Sequence, residues 1–121
     1  MYDLHPLVDA LKSNQIKVHL ETSGAFPIQG DFDWVCLSPK KFKFPIPEAL
    51  QKADEFKPVI YNKSDFTWAE SFQGDLKKTC RKYVQPEWSK SDEMLPLIIE
   101  YVKKNPDWQI SLQTHKFLNI P

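Results

Sequence analysis

Five short apolar runs, IKVHL, WVCL, KPVIY, RKYV and WQISL, return along this chain, and most are separated by a segment with helical periodicity. No other feature narrows the fold as much. Strands of four to eight residues that alternate with helices across short connections build βαβ units, and these assemble a parallel sheet. The spacing predicts strands at 16–20, 34–37, 57–62, 81–88 and 108–114. Each reads as a compact apolar run rather than a clean alternation, which predicts a sheet covered on both faces.

The intervening segments carry their own signals. Leu4, Leu7, Val8 and Leu11 recur at helical spacing, so the opening segment is an amphipathic helix. Pro47 suits the first turn of a helix that presents Leu50, Ala53 and Phe56. Ser64 is placed to cap the next helix, where Phe66 lies beside a stripe of Trp68, Phe72 and Leu76. Ser91 is the expected cap of a helix over 91–106, whose basic residues fall in the last turn where the dipole favours them. Pro96 is compatible with that helix only near its start. Residues 25–33, AFPIQGDFD, are too broken for a helix and predict an irregular crossover.

Composition excludes several classes of function. With 121 residues the chain fits one domain, and 41% hydrophobic with 13% aromatic residues can fill a core. Sixteen basic residues balance sixteen acidic ones, so no basic field invites nucleic acid or a membrane surface. MYDLHPLVDALK lacks the charged and apolar regions of a signal peptide, and no run approaches a membrane span. The expectation is a soluble cytoplasmic protein. Cys36 and Cys80 stand too far apart for a metal knuckle and read as small buried hydrophobes, and His5, His19 and His115 form no ligand pattern.

The predicted strands finish in polar residues: Glu21-Thr22-Ser23-Gly24, Ser38-Pro39-Lys40, Tyr61-Asn62, Gln85-Pro86-Glu87-Trp88 and Gln113-Thr114-His115. In a parallel sheet all of these emerge at the carboxyl edge, where α/β sheets and barrels bind ligands. Taken singly, each is better explained as a helix cap or an ordinary loop. Five polar ends on one edge favour a binding site.

The blocks LETSG, DWVCLSPKKFKFP, VQPEW and ISLQTHKFLNIP, in that order and spacing, resemble the carboxyl-terminal half of the 7-carboxy-7-deazaguanine synthases, radical S-adenosylmethionine enzymes of queuosine biosynthesis. KPVIYNKSDFTWAES is in the same style, so the resemblance covers nearly the whole chain. It implies a partial (β/α) barrel. It also implies a ring contraction that converts 6-carboxy-5,6,7,8-tetrahydropterin to 7-carboxy-7-deazaguanine with loss of ammonia. S-adenosylmethionine, a [4Fe–4S] cluster and Mg2+ serve that reaction, and a homodimer is the expected assembly.

Carried onto this sequence, the resemblance assigns S-adenosylmethionine to Gly24, Ser38, Pro39, Lys40, Gln85, Pro86, Glu87 and Trp88. It assigns the pterin-derived substrate to Thr22 and to the terminal carboxylate of Pro121. Their place at the last strand end adds Gln113 and His115 to these as further orienting groups. Gly24 would let backbone amides approach closely, and the Lys40 ammonium suits a carboxylate or ribose hydroxyls. One departure is large. The family's three-cysteine motif and magnesium position belong to its amino-terminal half, and two isolated cysteines cannot hold a cluster whose irons each need a thiolate. The chain alone is therefore expected to be inactive. The competing expectation is a non-catalytic half-barrel that self-associates or partners a cluster-bearing chain.

Overall fold

A computed structural model describes residues 4–112. Four helices and six short strands follow one another in it. These are α1 (His5–Ser13), β1 (His19–Thr22), β2 (Trp34–Leu37), α2 (Pro47–Lys52), β3 (Glu55–Phe56), β4 (Val59–Ile60), α3 (Asp65–Glu70), β5 (Arg81–Pro86), α4 (Ser91–Lys104) and β6 (Trp108–Ile110). Every strand pairing is parallel. Glu55 pairs with Arg81 and Val59 with Gln85 in one continuous register, so β3 and β4 are two pieces of a single strand along β5. Buried Pro58 divides them, because proline has no N–H to give to the ladder. The effective order is β1, β2, β3/β4, β5, β6, which is also chain order. A parallel sheet that adds strands in sequence and does not close is the partial barrel expected.

Boundaries differ from expectation in ways that have physical causes. β1 begins at His19 rather than at residue 16, because the turn after α1 uses Gln15 at φ 62° and Ile16 N–H returns to Leu11 O. Helix α2 stops at Lys52, and Phe56 belongs to a strand. Helix α3 ends at Glu70 and passes into a 3₁₀ turn at Gln73–Asp75, which contains Gly74. Ser64 occupies the N-cap position of α3, yet its hydroxyl donates to Asn62 Oδ1. Ser91 does not cap α4 either, since a 3₁₀ turn, Trp88–Lys90, runs directly into the helix. Glu87 caps that turn by accepting from Ser89 N–H at 2.9 Å. Pro96 stays within α4, where the carbonyl it strands belongs to exposed Asp92. The crossover between β1 and β2 is irregular, as its sequence predicts.

The two faces of the sheet are unlike, which corrects the expectation of two apolar faces. Val35, Leu37, Phe56, Ile60, Val84 and Trp108 point to one side and form the core with Ala49 and Leu50 of α2, Ala69 of α3, and Met94 and Ile98 of α4. Phe56 meets both Phe72 and Trp108 edge-on at centroid separations of 6.0 and 6.2 Å, geometries that ring quadrupoles favour. The alternate positions, Glu21, Cys36, Lys57 and Gln85 among them, face a concave side. That side carries the candidate site.

Candidate functional site

A cavity of about 760 Å³ opens at the carboxyl edge of the sheet. Strand β1 supplies Glu21 and Thr22 to it, with Ser23 just beyond; β2 supplies Cys36, followed by Ser38 and Lys40. Lys57 and Val59 come from the strand that Pro58 divides, Gln85 from β5, and Ser111 with Leu112 from the end of β6. Period-two alternation explains the grouping: Glu21 and Ser23, Cys36 and Ser38, and Lys57 and Val59 are pairs two residues apart.

Backbone bonds hold this rim in register. Ser38 N–H donates to Thr22 O at 2.9 Å, and Lys57 N–H donates to Leu37 O at 2.9 Å. Thr22 Oγ1 accepts from Gly24 N–H at 3.0 Å, which orients the hydroxyl and leaves its proton free to donate. Gly24 itself is buried at φ +73°, and a Cβ there would lie 2.6 Å from Leu37 Cδ1. Left-handed backbone and close packing both demand glycine at this turn. Gln85 is 7% exposed, and its Oε1 accepts from the Ser111 hydroxyl at 3.3 Å.

Beyond Ser38 the chain folds into a small hairpin through an isolated antiparallel bridge between Lys40 and Lys43. Lys43 Nζ sits 3.8 Å from the Phe26 ring centroid, and Lys41 is ion-paired with buried Asp65 while lying 5.7 Å from the Trp68 ring centroid. Lys40 is thereby carried on a braced loop. Lys40 itself lines the cavity.

Of the residues expected at the site, Thr22, Ser38, Lys40 and Gln85 share this cavity. Gly24 and Pro39 are buried and do not line it, and Pro86 is buried at the end of β5. Glu87 turns to Ser89, and Trp88 is about two-fifths exposed beside it. Gln113, His115 and Pro121 lie outside the described residues. Cys36, Lys57, Val59, Ser111 and Leu112 were not expected. Counting by twos from Ser38 and Gln85 along the strands would have found Cys36 directly, whereas Lys57 and Ser111 needed the strand register.

Burial pushes the Cys36 thiol up, Glu55 and Glu21 add to the effect, and the positive charge of Lys57 only partly offsets it. Cys36 is therefore a neutral wall residue rather than a thiolate nucleophile. Among the described residues no group of three or more His, Cys, Asp and Glu side chains is placed to hold a metal ion. A second cavity of about 500 Å³ at the amino edge is lined by Asp33, Asp54 and Lys77. Its carboxylates are structural: Asp33 accepts from Val18 N–H at 2.6 Å, and Asp54 accepts from Val35 N–H at 2.8 Å and Lys77 Nζ at 2.7 Å. No helix among the described residues is long and apolar enough to cross a membrane.

With the geometry in place, similarity to known proteins is informative. No protein-family model matches the chain. It is 51% identical over 120 residues to the 7-carboxy-7-deazaguanine synthase of Flavobacterium psychrophilum, a match covering 99% of this chain and 57% of that protein. Identity to the synthase of Synechocystis sp. is 41% over 120 residues, with the same coverage of 99% and 57%. The crystal structure of QueE from Escherichia coli superposes with a TM-score of 0.81 at 28% identity, over 93% of this chain and 51% of that one. The chain spans about half the length of the curated relatives it matches. These relatives bear out the resemblance drawn from LETSG, SPK and the later blocks, and the superposition bears out the open α/β half-barrel.

Proposed function

We propose that the chain is the carboxyl-terminal half of a 7-carboxy-7-deazaguanine synthase, contributing the nucleoside and pterin pocket to a ring contraction of 6-carboxy-5,6,7,8-tetrahydropterin. What carries the reading is similarity to such synthases along almost the entire chain, joined to a cavity that gathers Thr22, Ser38, Lys40 and Gln85.

S-adenosylmethionine suits this donor set, and when bound it would supply the hydrogen-abstracting radical of the family. It is a zwitterion with ribose hydroxyls, and the wall offers ammonium groups, hydroxyls and a carboxylate: Lys40 and Lys57, Thr22 and Ser38, and Glu21. Ser38 and Lys40 would hold it from the β2 loop, Gly24 would keep the β1 turn close, and Gln85 would donate its amide to the nucleoside while its oxygen is engaged by Ser111. Thr22 would orient the pterin through its free hydroxyl proton. Pro39, Pro86, Glu87 and Trp88 shape the loops around these groups, and Gln113, His115 and Pro121 remain part of the proposal as substrate-orienting groups.

The residues present do not suit an iron–sulfur cluster. Cys36 lies on β2 and Cys80 just before β5, so the strand β3/β4 stands between them, and the chain holds no third thiol. Cluster and Mg2+ would belong to the remaining half of the enzyme. Among the described residues β1 and β6 each have a single strand neighbour, and such open edges suit pairing with the rest of the barrel or a second copy.

The test is reconstitution. The chain should form 7-carboxy-7-deazaguanine when joined to the cluster-bearing amino-terminal half of a relative, and produce none alone. A folded, cluster-loaded assembly that leaves the pterin unchanged would refute the assignment.

A further inference from the structure

Lys57 stands apart from the other lysines of the chain. It projects from the middle of the sheet, half-buried, into the carboxyl-edge cavity, and among the described residues it takes part in no ion pair. Two carboxylates share its surroundings, Glu21 in the cavity wall and Glu55, whose Oε1 accepts from Trp34 Nε1 at 2.7 Å, but neither is ion-paired with the Lys57 ammonium. Backbone geometry sets the direction in which the Lys57 side chain leaves the sheet, since its N–H is bonded to Leu37 O and the next residue is buried Pro58. A half-buried ammonium with no direct ion-pair partner costs free energy, and an anionic ligand group in the cavity would offset that cost.

We propose that Lys57 is the anchor for a ligand carboxylate in this cavity, with its register on the sheet setting how deep that carboxylate sits. The inference rests on the reading above, in which both ligands, S-adenosylmethionine and the carboxylated pterin, carry such a group. Lys40, on the hairpin, remains available for the ribose or a second anion. Lys57 is thus a positioning residue that selects acids over their neutral analogues.

The test is calorimetry on the chain and its K57M and K57R variants with two ligand pairs. S-adenosylhomocysteine is set against 5′-methylthioadenosine, which lacks the amino group together with the carboxylate, and 6-carboxypterin against pterin. K57M should weaken the acid of one pair by about tenfold or more while sparing its neutral partner, as expected for loss of a charge-assisted bond. The affected pair identifies the source of the carboxylate, and K57R should recover most of the loss. K57M that binds all four ligands as the parent does, or weakens acid and neutral partner equally, overturns the role of Lys57 and leaves the functional reading standing. A parent chain that binds none of the four overturns the functional reading, and this inference with it.

Discussion

The buried carboxylate of Asp65 is ion-paired with Lys41, which ties the hairpin beyond β2 to the first turn of α3. Asp65 is 1% exposed and also accepts from Tyr61 N–H at 2.7 Å and Asn62 N–H at 3.0 Å. One side chain thus fixes the loop that carries Lys40 and the end of the strand that carries Lys57. D65A should cost about 2–4 kcal/mol in urea unfolding, because two backbone donors lose their acceptor. A loss below about 0.5 kcal/mol would show that water replaces the carboxylate at little cost.

The same residue predicts a response to pH. Burial by itself pushes the Asp65 carboxyl up, but the bond from Lys41 and those from the Tyr61 and Asn62 amides outweigh it, so the group titrates below its ordinary range. A depressed folded pKa lends stability that is complete above the unfolded carboxyl value of about 4 and is lost as pH falls below it. The urea midpoint should therefore drop on acidification below that value, and D65N should flatten this part of the profile. A D65N profile that parallels the parent would assign the acid sensitivity to other carboxylates.

Gly24 admits no side chain. G24A places a Cβ against Leu37 and Pro45 at φ +73°, and should destabilise the chain by about 2–4 kcal/mol. Unchanged stability would mean that the β1 turn relaxes, and ligand affinity should then fall, because Thr22 is oriented by the Gly24 amide.

Neither thiol is poised to react. Burial pushes the Cys80 thiol up to about 11 and raises that of Cys36 as well. At pH 8 both should react with a disulfide reagent more slowly in the folded chain than in urea, Cys80 by at least about a hundredfold. Fast labelling of Cys36 alone would indicate that the cavity wall opens, and ligand protection would then report occupancy.

Gln85 separates packing from recognition. Q85L keeps the side-chain volume in a nearly buried position and removes the acceptor of the Ser111 hydroxyl, so stability should change by about 1 kcal/mol or less. Affinity for 5′-methylthioadenosine should fall at least about fivefold, the loss of roughly one hydrogen bond. Retained affinity would remove Gln85 from the nucleoside contacts.

The half-barrel came from the family resemblance and the strand order from the structure. Alternation of WVCL, KPVIY and RKYV with helical segments was enough to indicate a parallel sheet and a polar carboxyl edge bearing Thr22, Ser38, Lys40 and Gln85. That information is local: apolar period, proline position and strand-end polarity are properties of short windows. Which way each side chain points is not local. Lys57 reads in sequence as the charged entrance to a strand, and only the register that pairs its neighbour Phe56 with Leu37 turns Lys57 to the opposite side, into the cavity. Asp65 likewise reads as a surface acid next to a capping serine, until the fold brings Lys41 over it. A one-residue slip reverses every side chain in a strand, so register and curvature, set by packing across the whole sheet, decide the site.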